Sequence, residues 1–206
     1  MTYRLSMIAL GVALAAAAPL AGAQAAGEDT LVVARDTDFN SLDPSRSWCD
    51  SCQIYLTAAY EPLVRVGADD RTLEPRLAAS WSVSGDGETY TFALNPKAVF
   101  SDGSPVEAKD VAWSLLRLKN LKEGPSFFAD GIEAIATPDA HTAVVTLAAP
   151  DPEFLGKMST PYAAIMNSDL VAEHGGAAGG DASSVDQAES WLLENSAGSG
   201  PFVLET

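Results

Sequence analysis

FSDGSPVEAKDVAWSLLRLK, residues 100–119, decides how the rest of the chain is read. Phe100 followed by the Asp102-Gly103 turn is expected to end a strand, and Pro105 guides the chain into a helix that starts near Ala108. From residue 107 to 119, Ala108, Val111, Ala112, Leu115 and Leu116 fall on one stripe, with Lys109, Asp110, Ser114 and Arg117 mostly off it. That spacing predicts an amphipathic helix with one face in a core. Glu107 stands where a Ser or Thr cap is expected and is a poorer cap, while Asp110 favours the helix N-terminus electrostatically.

Upstream, Tyr90, Phe92 and Leu94 alternate with Thr89, Thr91 and Ala93, which predicts a half-buried strand entered from a Ser84-Gly85-Asp86-Gly87 turn, hence a hairpin. Leu56, Ala59, Tyr60 and Leu63 fall at i, i+3, i+4, i+7, a helix face that Pro62 ends. Leu31 to Ala34 reads as a short buried strand running into polar punctuation at Asp43-Pro44. Downstream, residues 132–136 and 142–147 predict a second strand pair across a short polar connection. Asp151-Pro152 predicts an N-cap and first helical position. A further helix follows Ser168 and stops at Gly175. Gly175 to Ser184 has the composition of a flexible surface insertion. Ser184-Val185-Asp186-Gln187 reads as a capping box for an amphipathic helix through Ala188, Trp191 and Leu192. Helices and antiparallel hairpins mix with no βαβ rhythm and no internal repeat, a mixed α+β chain.

The N-terminus reads as an export signal: Arg4 is a positive start, Leu5 to Ala18 an apolar run, and Ala23-Gln24-Ala25 offers small residues for cleavage between Ala25 and Ala26. Pro19 and Gly22 break that run before it reaches the ~20 apolar residues of a membrane span. The 206 residues carry 12 basic and 28 acidic side chains, and Arg4 is the only charged residue before Glu28. So acidic a surface repels phosphate backbones and anionic lipid heads, which argues against nucleic-acid and membrane-surface roles. With 19% charged residues and 16 aromatics spread along the chain, disorder is a poor reading.

Enzyme signatures are absent: no G-x-S-x-G, no H-E-x-x-H, no phosphate-cradling glycine loop and no calcium-loop spacing. No catalytic residue, metal ligand or cofactor is therefore expected. Cys49 and Cys52 are the unusual feature. In an exported chain such a pair forms a local disulfide. A redox dithiol, a metal site with the distant His141 and His174, and free thiols stand as alternatives.

Leu42-Asp43-Pro44, Tyr60-Glu61-Pro62-Leu63-Val64, Pro75-Arg76-Leu77-Ala78-Ala79-Ser80-Trp81, Tyr90-Thr91-Phe92-Ala93-Leu94, Phe100 to Val106 leading to Asp110-Val111, Thr146-Leu147 before Pro150, and Gly198-Ser199-Gly200-Pro201-Phe202 come in that order. The series resembles the extracytoplasmic solute-binding proteins of family 5, the oligopeptide and dipeptide receptors of ABC importers. The resemblance implies an α/β, periplasmic-binding-protein-like class II receptor of two lobes. Residues 26–45 would be the first segment of lobe I, 46–197 the extra mixed α/β domain of these receptors, and 198–206 the start of the return into lobe I. The second lobe would lie beyond Thr206. It further implies a periplasmic monomer that captures a small solute, a peptide above all, and delivers it to an inner-membrane ABC permease. Receptors for nickel complexes, sugars and opines share the pattern. An exported thiol–disulfide module using Cys49 and Cys52, or a non-functional truncated receptor, are the alternatives.

By the same resemblance, the loop from Ser45 to Cys52 lies at the cleft edge, where Asp50 matches an acidic position and Trp48 would cover ligand. Phe127-Phe128 lies where a cleft aromatic is often placed. The plainer readings are a solvated loop with Trp48 packed on its own domain, and a core pair at Phe127-Phe128. The Phe100–Asp110 motif reads as a folding signature and not as a ligand contact.

Overall fold

The computed structural model describes residues 38–69 and 71–204. The expected signal, its Ala25/Ala26 cleavage point and the strand at Leu31 to Ala34 lie outside the described residues. Helix α1 (Asp50–Ala59) is followed by a two-stranded ribbon, β1 (Val64–Val66) with β2 (Leu73–Pro75), and by the hairpin β3 (Ala78–Val83) to β4 (Thr89–Leu94). Then come α2 (Ala108–Leu121), a 3-10 turn over Gly124–Phe128, and the hairpin β5 (Ile132–Asp139) to β6 (Thr142–Leu147). Short elements complete the order: α3 (Phe154–Lys157), a 3-10 turn over Pro161–Ala163, α4 (Ser168–Glu173), α5 (Ala182–Val185) and α6 (Glu189–Leu192).

The two hairpins join into one antiparallel sheet of order β3-β4-β6-β5. Thr89↔Thr146 and Phe92↔Ala143 set the central register. Tyr90, Phe92, Leu94, Ala143, Val145 and Leu147 all point to one face, where they are buried with Val111, Leu115 and Leu118 of α2. This is the period-2 pattern seen in the sequence, with Thr89, Thr91, Thr142 and Thr146 among the alternates on the other face. β5 is an edge strand, so Pro138 within it breaks no central ladder. A second cluster, built on Leu56, Tyr60, Tyr162, Met166, Val171 and Leu192, meets α2 through Trp113.

α2 departs from the amphipathic expectation. Its apolar stripe faces the sheet, but Asp110, Ser114 and Arg117, placed toward solvent by the spacing, are also buried, whereas Ala112 and Leu116 are only half-buried. These three polar residues fall at i, i+4 and i+7 and form a second seam. Asp110 Oδ2 accepts the Glu107 N–H, so Asp110 supplies the returning half of a cap at the helix start. Its Oδ1 accepts from Ser168 N and Oγ at the head of α4. Ser114 Oγ accepts the Met166 N–H at 2.9 Å. Arg117, fully buried, donates Nη1 and Nη2 to the two oxygens of Asp43 at 2.7 and 2.6 Å, and Nε and Nη2 to Asp186 at 2.8 and 2.9 Å. The seam is polar because it bonds loops, and buried because loops cover it.

Asp186 explains two further departures. The predicted capping box at Ser184–Gln187 does not form: Ser184 lies inside α5, and α6 starts only at Glu189. Instead the Asp186 carboxylate turns inward to Arg117 and accepts the Ala177 N–H at 2.8 Å. Gly175–Ser184 is accordingly folded onto the body: Ala182 is buried and Asn120 donates to the Ala178 carbonyl. Gly175 itself takes φ +87 as the helix-stopping reading requires. α1 ends at Ala59, earlier than Pro62 alone would place it, because Tyr60 is already extended and Glu61 pairs with Ile165. The Asp151 helix starts late for a related reason: Asp151 Oδ1 caps a turn at Glu153, and a single turn at Phe154–Lys157 is all that precedes Pro161.

Gly198 and Gly200 run across the C-terminus of α1. The backbone of this segment supplies donors for the open carbonyls, with Gly200 N–H on Ala59 O at 3.0 Å and Phe202 N–H on Ala58 O at 3.2 Å. A Cβ at Gly200 would lie 2.5 Å from Ala58 O, and one at Gly198 would overlap Ala59 O.

Three outcomes follow from this packing. Replacing Arg117 by Met strands two buried carboxylates and is expected to cost about 3–5 kcal/mol by urea denaturation; a loss under about 1 kcal/mol would show that the network does not hold the loops. Gly200→Ala is expected to cost about 1–3 kcal/mol by overpacking against rigid backbone, read as a lowered urea midpoint. Burial alone would raise the Asp186 pKa, but hydrogen bonds and charge from Arg117, the Ala177 N–H and Arg46 overcome it and hold it below the usual value. The unfolded chain therefore takes up this proton first, so the contribution is complete above the unfolded pKa of ~3.9 and drains away as pH falls through the lower folded value. Urea midpoints of the parent are expected to fall more steeply below ~pH 4 than those of Asp186→Asn.

Candidate functional site

The loop before α1 is built by local bonds. Asp43 O accepts from Arg46 and Ser47 N–H, Asp43 Oδ1 from Ser45 N–H, and Ser47 Oγ donates to Ser41 O. Asn40 Oδ1 accepts the Trp48 N–H at 2.9 Å. The loop thus delivers Trp48 and Cys49 to the start of α1 in one geometry. Cys49 is the N-cap, its Sγ accepting the Cys52 N–H, and the two sulfurs are bonded across the first turn with Cα atoms 5.3 Å apart. Neither histidine approaches them in a metal-binding group, and no cluster of three such ligands occurs among the described residues. Asp50 occupies the exposed first helical position, where a negative charge complements the helix dipole.

Across from this loop, α2 ends at Lys122 with φ 59, the left-handed conformation that turns the chain into Gly124–Phe128. That turn places Phe127 5.3 Å and Phe128 6.0 Å from the Trp48 ring. Tyr162, from the 3-10 turn Pro161–Ala163, adds a third contact at 5.1 Å and lies nearly parallel to Phe128. Of the four sequence candidates, Trp48, Phe127 and Phe128 are therefore neighbours in space although they come from two segments about 80 positions apart, and Asp50 lies on the Trp48 side of the group. Trp48 packs on its own body and still leaves 49% of itself exposed; Phe127 is 48% exposed, so it is no core residue, while Phe128 packs against both clusters.

Tyr162 and Gln53 were not singled out by the sequence. With Trp48, Cys49 and Asp50 they line a cavity of about 350 Å³. Tyr162 donates its hydroxyl to Cys49 O at 3.2 Å. Burial, with the Asp50 charge adding to it, holds its phenol above the usual pKa, so it stays a neutral donor. Nothing in the local pattern around Pro161 marks Tyr162, because its role depends on a contact 113 positions away. The cavity offers aromatic faces, the exposed Asp50 carboxylate and an amide, a set suited to an amphipathic ligand with a cationic group. It holds no nucleophile–base pair.

The bacterial extracellular solute-binding proteins, family 5 Middle, match over residues 72–206. The chain is 33% identical, over its whole length and 38% of the relative, to the probable D,D-dipeptide-binding periplasmic protein DdpA of Escherichia coli (strain K12). It is 33% identical to the dipeptide-binding protein DppE of Bacillus subtilis (strain 168), over 68% of this chain and 28% of that one. The substrate-binding domain of an oligopeptide ABC transporter from Bacillus anthracis str. Ames superposes with a TM-score of 0.61 at 28% identity, over 66% of this chain and 29% of that structure. The chain thus spans between a quarter and two fifths of the proteins it matches. With the ordered motifs, the mixed α/β architecture and a match over most of its length, the chain belongs to the bacterial extracellular solute-binding proteins of family 5.

Proposed function

We propose that this chain is part of the ligand-capturing component of an ABC importer, exported to the periplasm through residues 1–25, with cleavage between Ala25 and Ala26, and acting as a monomer. The ligand is a peptide, handed after capture to a permease in the inner membrane. The observation that carries this reading is the ring cluster of Trp48, Phe127, Phe128 and Tyr162, of which Trp48 and Tyr162 share a cavity with Asp50. The peptide character of the relatives named above supports the same choice of ligand.

In this reading the rings strip water from an apolar side chain of the ligand, and Asp50 meets its ammonium group. The work is a binding equilibrium coupled to closure, with no bond made or broken. The Cys49–Cys52 bond serves to hold the first turn of α1, and with it Asp50, beside the Trp48 ring.

Isothermal titration with free dipeptides, their N-acetylated counterparts, sugars and nickel chelates tests this. Free dipeptides are expected to bind, Trp48→Ala to weaken them about tenfold or more, and Asp50→Asn to narrow the gap between free and acetylated forms. Binding of sugars or chelates with no peptide binding would overturn the ligand class, and unaltered affinity in Trp48→Ala would overturn the site.

A further inference from the structure

The geometry points to Arg46 as a positioning residue that sets the gap between the two halves of the aromatic wall, an inference that rests on the reading of that wall as the ligand site. Arg46 lies in the loop that ends at Trp48, two positions before it, and its side chain is largely buried. Its guanidinium faces four carboxylates, Asp43 at 3.5 Å and Glu189 at 4.0 Å from Nε, and Asp186 and Glu123, the two to which it is hydrogen bonded. Nη2 donates to Asp186 Oδ1 at 3.1 Å, which joins it to the buried Arg117 network. Nη1 donates to Glu123 Oε1 at 2.8 Å. Glu123 immediately precedes Gly124–Phe128, the turn that carries both phenylalanines. Arg46 therefore ties the Trp48 segment to the Phe127-Phe128 segment, and it is anchored from behind by a carboxylate that Arg117 and the Ala177 N–H also hold.

Gly124 gives the contact its second half. A Cβ on Gly124 would stand 2.7 Å from Trp48 Cβ and 3.1 Å from Trp48 Cγ. The Trp48 side chain thus sits directly on backbone, in a seat that exists only because residue 124 has no side chain. The tie pulls the two segments together, and the bare backbone lets them close to the observed ring distances. Neither residue touches the cavity beside Asp50, so both act through Trp48.

Arg46 also neutralises Asp186, so changing it would disturb the core. Glu123 and Gly124 isolate the positioning role. The test is fluorine NMR of the full chain with 5-fluorotryptophan, the Trp48 signal assigned through Trp48→Phe, in the parent, Glu123→Ala and Gly124→Ala. The Trp48 resonance is expected to shift in both variants while those of Trp81, Trp113 and Trp191 stay in place. Glu123→Gln, which keeps an acceptor, is expected to fall between parent and Glu123→Ala. Dipeptide affinity is expected to fall about fivefold in Glu123→Ala, the upper range for one partly exposed ion pair. An unmoved Trp48 signal in both variants overturns the inference, as does movement of all four signals together, which is the mark of a general structural role. The fluorine arm needs no ligand. If the parent binds no peptide yet Trp48 alone responds, the functional reading fails and the positioning stands; if Trp48 responds and affinity does not change in a parent that binds, the positioning has no bearing on binding and the inference fails.

Discussion

Arg117 and its two carboxylates organise the chain. A buried guanidinium using four of its five donors leaves little freedom in where its acceptors lie. Those acceptors come from opposite ends of the described residues, Asp43 before α1 and Asp186 before α6. Burial works against the charge of Arg117, but the two carboxylates overcome it and raise its pKa, so it stays cationic throughout. Two buried carboxylates against one guanidinium would leave an excess negative charge, and Arg46 supplies the missing cation. Such a cluster adds little net stability over an apolar packing of the same shape. Its consequence is directional: each loop can dock in one place only.

That docking carries the site. Asp43 fixes the loop that ends at Trp48, and Arg46 reaches from the same loop to the segment bearing Phe127 and Phe128. The apolar core does a different job, holding the sheet on α2 without regard to where the loops go. Aromatic surface is thereby left half-exposed at the place where three segments meet, held from beneath by charge and from the side by a covalent link across the first turn of α1. If the wall binds ligand as proposed, its preorganisation leaves few side chains to order, which lowers the cost of association.

The elements legible in the sequence are those whose bonds are local. β4 runs over the residues that alternate, its turn is the Ser-Gly-Asp-Gly stretch, and α4 stops where Gly175 takes positive φ. The departures at Ser184–Gln187 and along α2 share one cause. Ser184–Gln187 has the composition of a cap, and Asp110, Ser114 and Arg117 have the composition of a solvated face, yet each is claimed by a partner more than 50 positions away. Local propensity is worth tenths of a kcal/mol to about 1 kcal/mol, and a buried charge left unpaired costs several times that, so the distant partner wins.

The sequence by itself determined the class of element, the alternation that builds the sheet face, the ordered motifs of the family and the candidates Trp48, Asp50, Phe127 and Phe128. Only the tertiary structure decided that Trp48, Phe127 and Phe128 are neighbours, that Tyr162 and Gln53 join Trp48 and Asp50 around the cavity, and that α2 is buried on a polar face as well as an apolar one. The physical reason is that periodicity records which side of an element avoids water, whereas the pairing of charges records which distant segment covers it, and no local pattern encodes the second.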